Sequence, residues 1–442
     1  MMPMRRCTLP VILLVLSAGR PVFPQTATRT VDVLKYTAAI NPDIEARSVS
    51  GEVTIHVQFV ASNVTTVEFD RSDLVIEGVR YEGKPVAFEL PLYRLRVLLP
   101  KPARRGSMGD FVVSYRGKPR SGVQFVPDRR QVYTIFSTSQ WLVCVDDPDD
   151  KATLDLQVTL PAGLLAIGSG TFVGDQPGPD GTVVHRWRQT QPVSTYLFGF
   201  AAGRFSETES RQGATLLRYA AENLSRDQLN RLFADTSDMV DFFSEHAGMP
   251  LPGGTYTQVL VANTAGQEAA GFSILSEAYG RAVLNDPTAV SLIAHELAHQ
   301  WWGNLVTCHD WTHFWLNEGF ATFMAAAYDE RRFGPEAYRR DIERIRVRYD
   351  EVRQNGGDRS LAFPDWNRPS ASDRTIVYQK GAYVLHRLRE QIGDDAFWAG
   401  IRRYTLAHAG RSVTTEDFKR SMEESTGSNL GAFFDKWVYL RP

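Results

Sequence analysis

Apolar and polar residues alternate strictly along several short segments in the first half of the chain. The alternating apolar positions are Val53, Ile55, Val57 and Phe59 in one segment and Leu154, Leu156, Val158 and Leu160 in another. A period of two places these side chains on one face of a β-strand. Segments rich in proline and glycine, such as QPGPDG at 176–181, separate the apolar runs as turns do. The pattern predicts an all-β N-terminal domain over residues 28–207.

The apolar period changes to that of a helix after residue 207. Ser225 and Gln228 match an S-x-x-Q capping box, and the apolar residues that follow share one helical face. Asp286 with proline after it is typical of a helix N-terminus and predicts a helix over residues 287–303. Further helices are predicted over residues 316–331, 335–354, 376–392 and 414–424. The chain is thus predicted to be α+β, with a mainly helical domain over residues 208–442.

The first 25 residues have the composition of a secretory signal peptide. Arg5 and Arg6 precede an apolar run at 11–16, and small residues follow it. This run is far shorter than the ~20 residues that span a bilayer. We therefore expect residues 1–25 to be removed on export, which leaves a secreted or periplasmic protein without a transmembrane anchor. A retained membrane-anchoring tail is the alternative.

Composition excludes some partners without selecting a chemistry. The 442 residues carry a net charge of -2, with 43% hydrophobic and 23% charged residues, which is ordinary for a soluble protein. A chain without excess positive charge has no electrostatic surface for nucleic acid. Outside the signal segment, Cys144 and Cys308 are expected to be free, buried thiols, although a disulfide between them stays open. The oligomeric state is not indicated by the sequence.

Residues 295–299 read HELAH, an H-E-x-x-H pattern. At about 3.6 residues per turn, His295 and His299 lie on one face of a helix and can reach a single ion. Glu296 is rotated by about 100° from His295 and can address a water rather than the metal. Two surface histidines on a polar helix face are the alternative. The flanking residues are apolar, which argues against it.

Glu318 supplies the third predicted ligand from the segment WLNEGFA at 315–321. The gap after His299 is long enough for one helix to end and a second to return with a carboxylate. Two histidines and one glutamate leave the fourth zinc position for water, as in catalytic zinc sites. One Zn²⁺ per chain is therefore predicted. His309 and His313 also have helical spacing, but no well-placed acid accompanies them, and we expect them to be structural.

Several segments resemble the gluzincin aminopeptidases, the family of membrane alanyl aminopeptidase and leukotriene hydrolase. The zinc core is similar at 295–307 (HELAHQWWGNLVT) and 315–322 (WLNEGFAT). Residues 146–153 (DDPDDKAT) resemble the signature of the family's N-terminal domain, and 196–200 (YLFGF) its inter-domain strand. Residues 377–381 (VYQKG) are similar to the segment that holds the catalytic tyrosine. The resemblance covers about residues 45–440.

The resemblance implies a saddle-like β domain followed by a thermolysin-like catalytic domain. Most members continue into a large helical C-terminal domain that covers the cleft. This chain ends where the catalytic domain of a relative would end. We therefore expect the C-terminal domain to be lacking and the active site to be more open.

The resemblance also implies roles for two further residues. Tyr378 matches the tyrosine that stabilises the oxyanion, a task that suits a phenol donor. The family's Gly-x-Met-Glu-Asn motif falls on residues 265–269, AGQEA, in which Glu268 keeps the glutamate that binds the substrate's α-ammonium. Residues 265, 267 and 269 depart from the motif. The family also has a second amine anchor in the N-terminal domain, which the resemblance leaves unassigned here. Gln140 lies close to that position in sequence but out of register.

The implied function is a zinc-dependent aminopeptidase that acts on peptides. Glu296 serves as the general base, Tyr378 as the oxyanion donor and Glu268 as the amine anchor. Two alternatives stay open. The altered amine-anchor motif and the expected lack of a C-terminal domain over the cleft suit an endopeptidase or a trimming enzyme for long peptides. A non-catalytic binding protein could also reuse the same fold.

Overall fold

The structure, a computed structural model, describes residues 29–263, 266–364 and 369–440. The predicted signal peptide at 1–25 lies outside the described residues and stays a prediction. Among the described helices, none combines the length and the apolar character that crossing a bilayer requires.

The first part of the chain folds into strands, and residues 29–205 contain no α-helix. The strands are β1 (Val31–Asp43), β2 (Ser48–Phe59), β3 (Val64–Asp70), β4 (Val75–Tyr81), β5 (Lys84–Pro85), β6 (Phe88–Glu89), β7 (Arg94–Ala103), β8 (Met108–Gly117), β9 (Val123–Val126), β10 (Gln131–Thr134), β11 (Lys151–Pro161), β12 (Leu165–Gly168), β13 (Thr171–Pro177), β14 (Thr182–Ser194) and β15 (Phe200–Gly203). They form one large sheet, β13-β14-β11-β1-β2-β8-β4-β5, and two smaller ones, β12-β15-β10-β9 and β3-β7-β6. The predicted β-rich N-terminal domain is confirmed.

The predicted period of two matches the observed burial. Along β2 the side chains of Val53, Ile55, Val57 and Phe59 are fully buried, while their neighbours are partly exposed. The same alternation holds along β11. Both strands lie in the large sheet, with β1 between them. Because one face of this sheet packs into the core, the alternating apolar side chains fix the register of the strands.

The second part contains a five-stranded mixed sheet that the apolar period did not predict. Its strands, in the order β16-β17-β18-β20-β19, are β16 (Ser206–Gln212), β17 (Thr215–Ala221), β18 (Thr255–Val261), β19 (Gly266–Ala269) and β20 (Phe272–Ser276). Two of the inner strands, β18 and β20, are almost wholly buried, so no alternation marks them. The third, β17, keeps partly exposed residues in its first half. The predicted domain boundary at 207/208 falls inside β16.

Helices pack against this sheet and carry the rest of the second domain. They are α1 (Arg226–Leu232), α2 (Thr236–Ala247), α3 (Glu277–Asn285), α4 (Ser291–Ala298), α5 (Trp315–Phe333), α6 (Pro335–Gln354), α7 (Ala371–Thr375), α8 (Gly381–Ile392), α9 (Asp394–His408), α10 (Thr415–Thr426) and α11 (Gly431–Phe434). A short parallel pair, β21 (Thr307–Cys308) and β22 (Ser412–Val413), links α9 to the loop after α4. The capping box at Ser225 is confirmed, because Ser225 accepts from the Gln228 amide and Gln228 caps in return.

The predicted start of the histidine-bearing helix is wrong. Asp286 ends α3, and its carboxylate accepts from the backbone and hydroxyl of Thr288, at 3.1 and 2.6 Å. Aspartate stabilises such a turn as readily as it caps a helix, and Thr288 decides between the two here. The helix therefore starts at Ser291 and ends at Ala298, and His299 keeps helical backbone angles beyond it.

Side chains of the first domain hold the second domain near the histidine pair. Lys151 at the start of β11 donates to the carbonyl of Leu305 at 3.0 Å and to the hydroxyl of Thr307 at 2.7 Å. Tyr196 donates to the carbonyl of Gly303 at 3.1 Å. Gln131 accepts from the backbone amide of Ala262 at 3.0 Å. The loop that follows the histidine helix and the loop that follows β18 are thus fixed from the N-terminal domain.

The two cysteines lie in different domains and are both free and buried. The expectation of free thiols is confirmed, and the alternative disulfide is not formed. Burial raises the pKa of the Cys308 thiol above its ordinary range. A thiol in this state acts as a small apolar side chain.

Candidate functional site

The helix α4 presents its two histidines to the interior of the second domain. His295 and His299 are separated by one turn, and their Nε2 atoms lie 3.1 Å apart. Ile293, Ala294, Leu297 and Ala298 are fully buried around them. The apolar flanks of the HELAH segment therefore bury the pair, as the sequence indicated.

Helix α5 returns Glu318 to the same point. Its Oε2 atom lies 3.3 Å from His295 Nε2 and 3.4 Å from His299 Nε2. The three groups offer ligand atoms that lie within 4.8 Å of one another. The structure thus brings together the three predicted metal ligands.

The donor set fits a zinc ion. Glu318 is only 3% exposed, and its Oε2 has no hydrogen-bond partner of good geometry in the described part of the chain. An unpaired carboxylate oxygen in such a place is costly unless a cation compensates it. Two imidazole nitrogens and one carboxylate oxygen are the ligands of catalytic zinc sites with one open position.

The other ring nitrogens of the histidines are held by neighbouring groups. His299 Nδ1 lies 3.2 Å from the carbonyl of Trp302, to which only an N–H can donate. His295 Nδ1 lies 3.5 Å from the hydroxyl of Thr322, on α5. Because the carbonyl only accepts hydrogen bonds, the ring proton of His299 lies on Nδ1. The lone pair of Nε2 then points toward the site.

Glu296 lies next to the histidine face of α4, against strand β19. Its side chain is buried, and Oε2 has no hydrogen-bond partner among the described residues. A Cβ atom at Gly266 would collide with Oε1, so glycine there makes room for the carboxylate. Burial raises the pKa of Glu296 well above its ordinary value. A carboxylate in this environment is suited to proton transfer.

Glu268 lies in the middle of β19, at the edge of the mixed sheet. Its carboxylate, the carboxylate of Glu296 and the ring of His299 offer ligand atoms that lie within 4.8 Å of one another. Burial raises the pKa of Glu268 to about 7, although the nearby His299 opposes this. The amide of Gln267 donates to Glu268 Oε2 at 2.6 Å. A second buried carboxylate thus lies beside the histidine pair.

Tyr378 lies in a π-helical turn over Ile376–Lys380. Its ring stacks on that of His295, with centroids 5.9 Å apart and planes at 11°. Burial, with the nearby Glu318 carboxylate, raises the pKa of Tyr378 well above its usual range. The phenol therefore keeps its proton and can act as a donor. Single π-helical turns inside helices are frequent at functional sites.

Two glycines let the Glu318 and Tyr378 segments approach each other. A Cβ atom at Gly319 would lie 2.9 Å from the Cα atom of Gly381, which directly follows the π-helical turn. Helix α5 and the start of α8 therefore meet backbone to backbone. The sequence analysis quoted both glycines inside family segments but assigned them no role.

Asn317 and Tyr196 are further residues that the sequence analysis did not single out. Asn317 accepts from the backbone amide of Cys308 at 3.0 Å and donates to the Tyr196 hydroxyl at 2.9 Å. This network fixes the helix turn that carries Glu318. Both residues stand in segments that resembled the family, which is the signal that could have identified them.

Gln140 lies in a short helical turn, Thr138–Gln140, of the N-terminal domain. It is 8% exposed, and its Oε1 has no hydrogen-bond partner in the described part of the chain. Its assignment as an amine anchor stays open. His309 and His313 have other partners, since His309 lies 3.1 Å from Asp149 and His313 bonds Thr415 at 3.0 Å.

A β-rich domain, a mixed sheet with helices and a buried cluster of two histidines and one glutamate define the class of two-domain zinc metallopeptidases. Comparison with known families agrees. Residues 33–197 match the peptidase M1 N-terminal domain, and residues 233–437 match the peptidase family M1 domain. The chain belongs to peptidase family M1, as the sequence resemblance indicated.

Similar curated proteins come from an archaeon, a plant and an animal. The chain is 25% identical to probable aminopeptidase 1 of Saccharolobus solfataricus, over 86% of this chain and 50% of the relative. It is 23% identical to aminopeptidase M1 of Arabidopsis thaliana, over 95% and 51%. Leukotriene A-4 hydrolase of Xenopus laevis is 24% identical, over 86% and 66%. The chain thus spans about half the length of the archaeal and plant relatives.

Solved structures match the chain over nearly their whole length. An M1 zinc metallopeptidase of Deinococcus radiodurans, solved as a glutamate-to-alanine variant with Tyr-Ser-Ala bound, has 25% identity and a TM-score of 0.81, covering 95% of this chain and 97% of the other. A two-domain M1 zinc metallopeptidase with bound L-arginine has 25% identity and a TM-score of 0.78, with the same coverage. The two-domain architecture is therefore shared with solved members of the family.

Proposed function

We propose that this protein is a zinc-dependent aminopeptidase that removes N-terminal residues from peptides, with one zinc per chain held by His295, His299 and Glu318. The observation that carries the proposal is the buried Glu268 carboxylate, which lies within 4.8 Å of Glu296 and His299. A carboxylate beside the reacting centre suits the α-ammonium of a peptide N-terminus. The curated relatives named as aminopeptidases support the same activity.

The zinc, when bound, lowers the pKa of a coordinated water and polarises the scissile carbonyl. Glu296 takes a proton from the attacking water and then delivers it to the leaving amine. Its burial and its open Oε2 atom prepare it for both steps. Gly266 provides the space in which this carboxylate moves.

Tyr378 donates a hydrogen bond to the oxyanion that forms on the scissile carbonyl. Its stacking on His295 fixes the phenol on the metal side of the site. A donor aimed at developing charge in a site shielded from water contributes strongly to transition-state stabilisation.

Glu268 binds the free α-ammonium and so sets the distance from the N-terminus to the reacting carbonyl. One residue is then released in each turnover. We also propose export of the protein, because of the signal-peptide composition of residues 1–25. Extracytoplasmic peptides are the expected substrates.

The first test compares leucine p-nitroanilide with its N-acetyl derivative on the purified protein. An aminopeptidase loses most of its activity on the blocked substrate, because a neutral amide cannot pair with Glu268. A long peptide is digested in parallel in both forms and read by mass spectrometry. Internal cleavage of the blocked peptide at an equal rate would contradict the proposal and favour the endopeptidase alternative.

The second test replaces the general base. We expect Glu296→Gln to lower kcat by about 100- to 10,000-fold, since positioned proton transfer contributes that much. Metal analysis serves as the control and should still give one zinc per chain in the variant. Undiminished activity in the variant would contradict the role of Glu296 as the general base. Bound zinc with no hydrolysis of any peptide by the wild type would favour the non-catalytic binding protein.

A further inference from the structure

Gln267 makes an unusual contact with the residue that follows it. Its side chain is only 4% exposed. Its Nε2 atom donates to Glu268 Oε2 at 2.6 Å and to the Glu268 carbonyl at 3.0 Å. Among the described side chains, no other donates a hydrogen bond to this carboxylate. The orientation of Glu268 is therefore set by its own neighbour in the strand.

The sequence around Glu268 changes in a way that matches this contact. The family motif has an apolar methionine before the glutamate and an amide residue, asparagine, after it. In this chain the amide residue, Gln267, comes before, and the apolar Ala269 follows. The amide and apolar positions are exchanged around the same glutamate. In this chain the side-chain donor next to the carboxylate is the residue before it.

The other groups of this cluster do not hold the carboxylate by a hydrogen bond. They are His299 and a second carboxylate, Glu296, whose ligand atoms lie within 4.8 Å of it. The terminal torsion of a glutamate is broad, so a side chain without a fixed donor samples many orientations. Pairing one oxygen with a charge-assisted hydrogen bond removes most of that freedom. A group held in its binding orientation does not lose that freedom again when the ligand arrives.

We propose that Gln267 is a positioning residue for substrate binding: it fixes Glu268 through Oε2 and leaves Oε1 to the α-ammonium of the substrate. The inference rests on the proposed aminopeptidase function. Gln267 itself touches neither the metal ligands nor the scissile bond. Its effect is on the ground-state binding of the N-terminus, and so on KM more than on kcat.

The test is Gln267→Met, which keeps the length of the side chain and removes the donor. Leucine p-nitroanilide should show a KM about 10- to 100-fold higher, which is the range expected for a lost hydrogen bond to a charged group. The kcat value should change by less than about threefold, because the group acts before the chemical step. Activity on the N-acetyl substrate should not change further.

A matched control removes the same kind of contact elsewhere in the same sheet. Gln212 in β16 donates to Asp241 Oδ2 at 2.9 Å, at the opposite sheet edge from β19. Gln212→Met should leave KM and kcat unchanged. A loss of stability alone would appear in thermal unfolding of either variant and would not change the ratio of free to blocked substrate.

Binding without turnover gives a second readout. The tripeptide Tyr-Ser-Ala and its N-acetyl form are titrated by calorimetry into Glu296→Gln and into the double variant with Gln267→Met. We expect the free peptide to lose about 10- to 100-fold in affinity and the blocked peptide to lose none. Equal losses for both peptides would indicate a structural role and overturn the inference.

The outcomes separate the two proposals. If the wild type does not prefer free amines, the aminopeptidase proposal itself fails. If the wild type prefers free amines and Gln267→Met keeps KM within twofold of Gln212→Met, only the role of Gln267 is overturned. A higher KM together with an unchanged kcat supports both.

Discussion

The buried side chains of the site depend on contacts that single substitutions can remove. Glu318 Oε2 faces two imidazoles, Glu296 Oε2 is open, and Tyr378 keeps its phenolic proton. Glu318 and Tyr378 thus stand in the states that their proposed roles need. The hydrogen bond between Gln267 and Glu268 adds a fourth group. No local pattern in the sequence predicts this bond.

At the scale of single residues, the variant Tyr378→Phe removes only the hydroxyl that is proposed to donate to the oxyanion. We expect kcat to fall by about 100- to 1,000-fold with little change in KM, because a donor to developing charge acts in the transition state. Steady-state kinetics on leucine p-nitroanilide measure both constants. Tyr383→Phe, one turn further along α8 and packed on Trp437, is the matched control and should stay active. A Tyr378 variant with full kcat would exclude the phenol from the reaction.

At the scale of elements, the site depends on the close approach of α5 to α8. Their contact at Gly319 and Gly381 has no room for a side chain. The two helices carry or adjoin Glu318 and Tyr378, so the spacing between them sets the spacing between a metal ligand and the oxyanion donor.

Gly319→Ala tests that spacing. The added methyl group would lie 2.9 Å from Gly381 Cα and must push the helices apart. We expect the free energy of unfolding to fall by about 1–3 kcal/mol, as for other overpacked contacts. Zinc affinity, measured by competition with a chelator, should fall as well because Glu318 moves. Gly78→Ala, with nothing within 4 Å of the added atom, is the control. Unchanged zinc affinity in Gly319→Ala would contradict the coupling.

At the scale of the whole molecule, Lys151 joins the two domains. Its ammonium is enclosed by the loop that follows the histidine helix. Burial lowers the pKa of Lys151 to about 7. In the unfolded chain a lysine has a pKa of about 10.4, so between these two values the unfolded state binds the proton and the folded state does not.

This difference predicts how stability depends on pH. The contribution of Lys151 to the free energy of unfolding is largest above pH ~10.4 and is lost as the pH falls toward 7, at up to about 1.4 kcal/mol per pH unit. Denaturant unfolding of wild type and Lys151→Met at several pH values measures it. The stability advantage of the wild type should grow from pH 7 to pH 10. If the free energy of unfolding changed with pH in the same way for both proteins, this would contradict the lowered pKa of Lys151.

Local patterns in the sequence determined a large part of this protein. Spacing of four on a helix placed His295 and His299 together, because the helical period is local and independent of the rest of the fold. Alternation determined the strand faces of β2 and β11, because one buried face permits one register. The gap after His299 and the segment around Glu318 indicated the third ligand, and the resemblance to the family then indicated Tyr378 and Glu268. The structure brings all three to the histidine pair.

Only the tertiary structure decided the remaining features. Strands β18 and β20 are almost wholly buried and carry no alternation, so the mixed sheet was not predicted. Asp286 could cap a helix or close a turn, and its hydrogen bonds with Thr288 select the turn. The contact between Gly319 and Gly381 and the enclosure of Lys151 join residues far apart in sequence. Gln267 and Glu268 are adjacent in sequence, yet their bond depends on the burial that β19 receives from the fold. The period of the apolar residues determines which side chains share one face of a helix or strand. Tertiary packing determines which other element that face contacts.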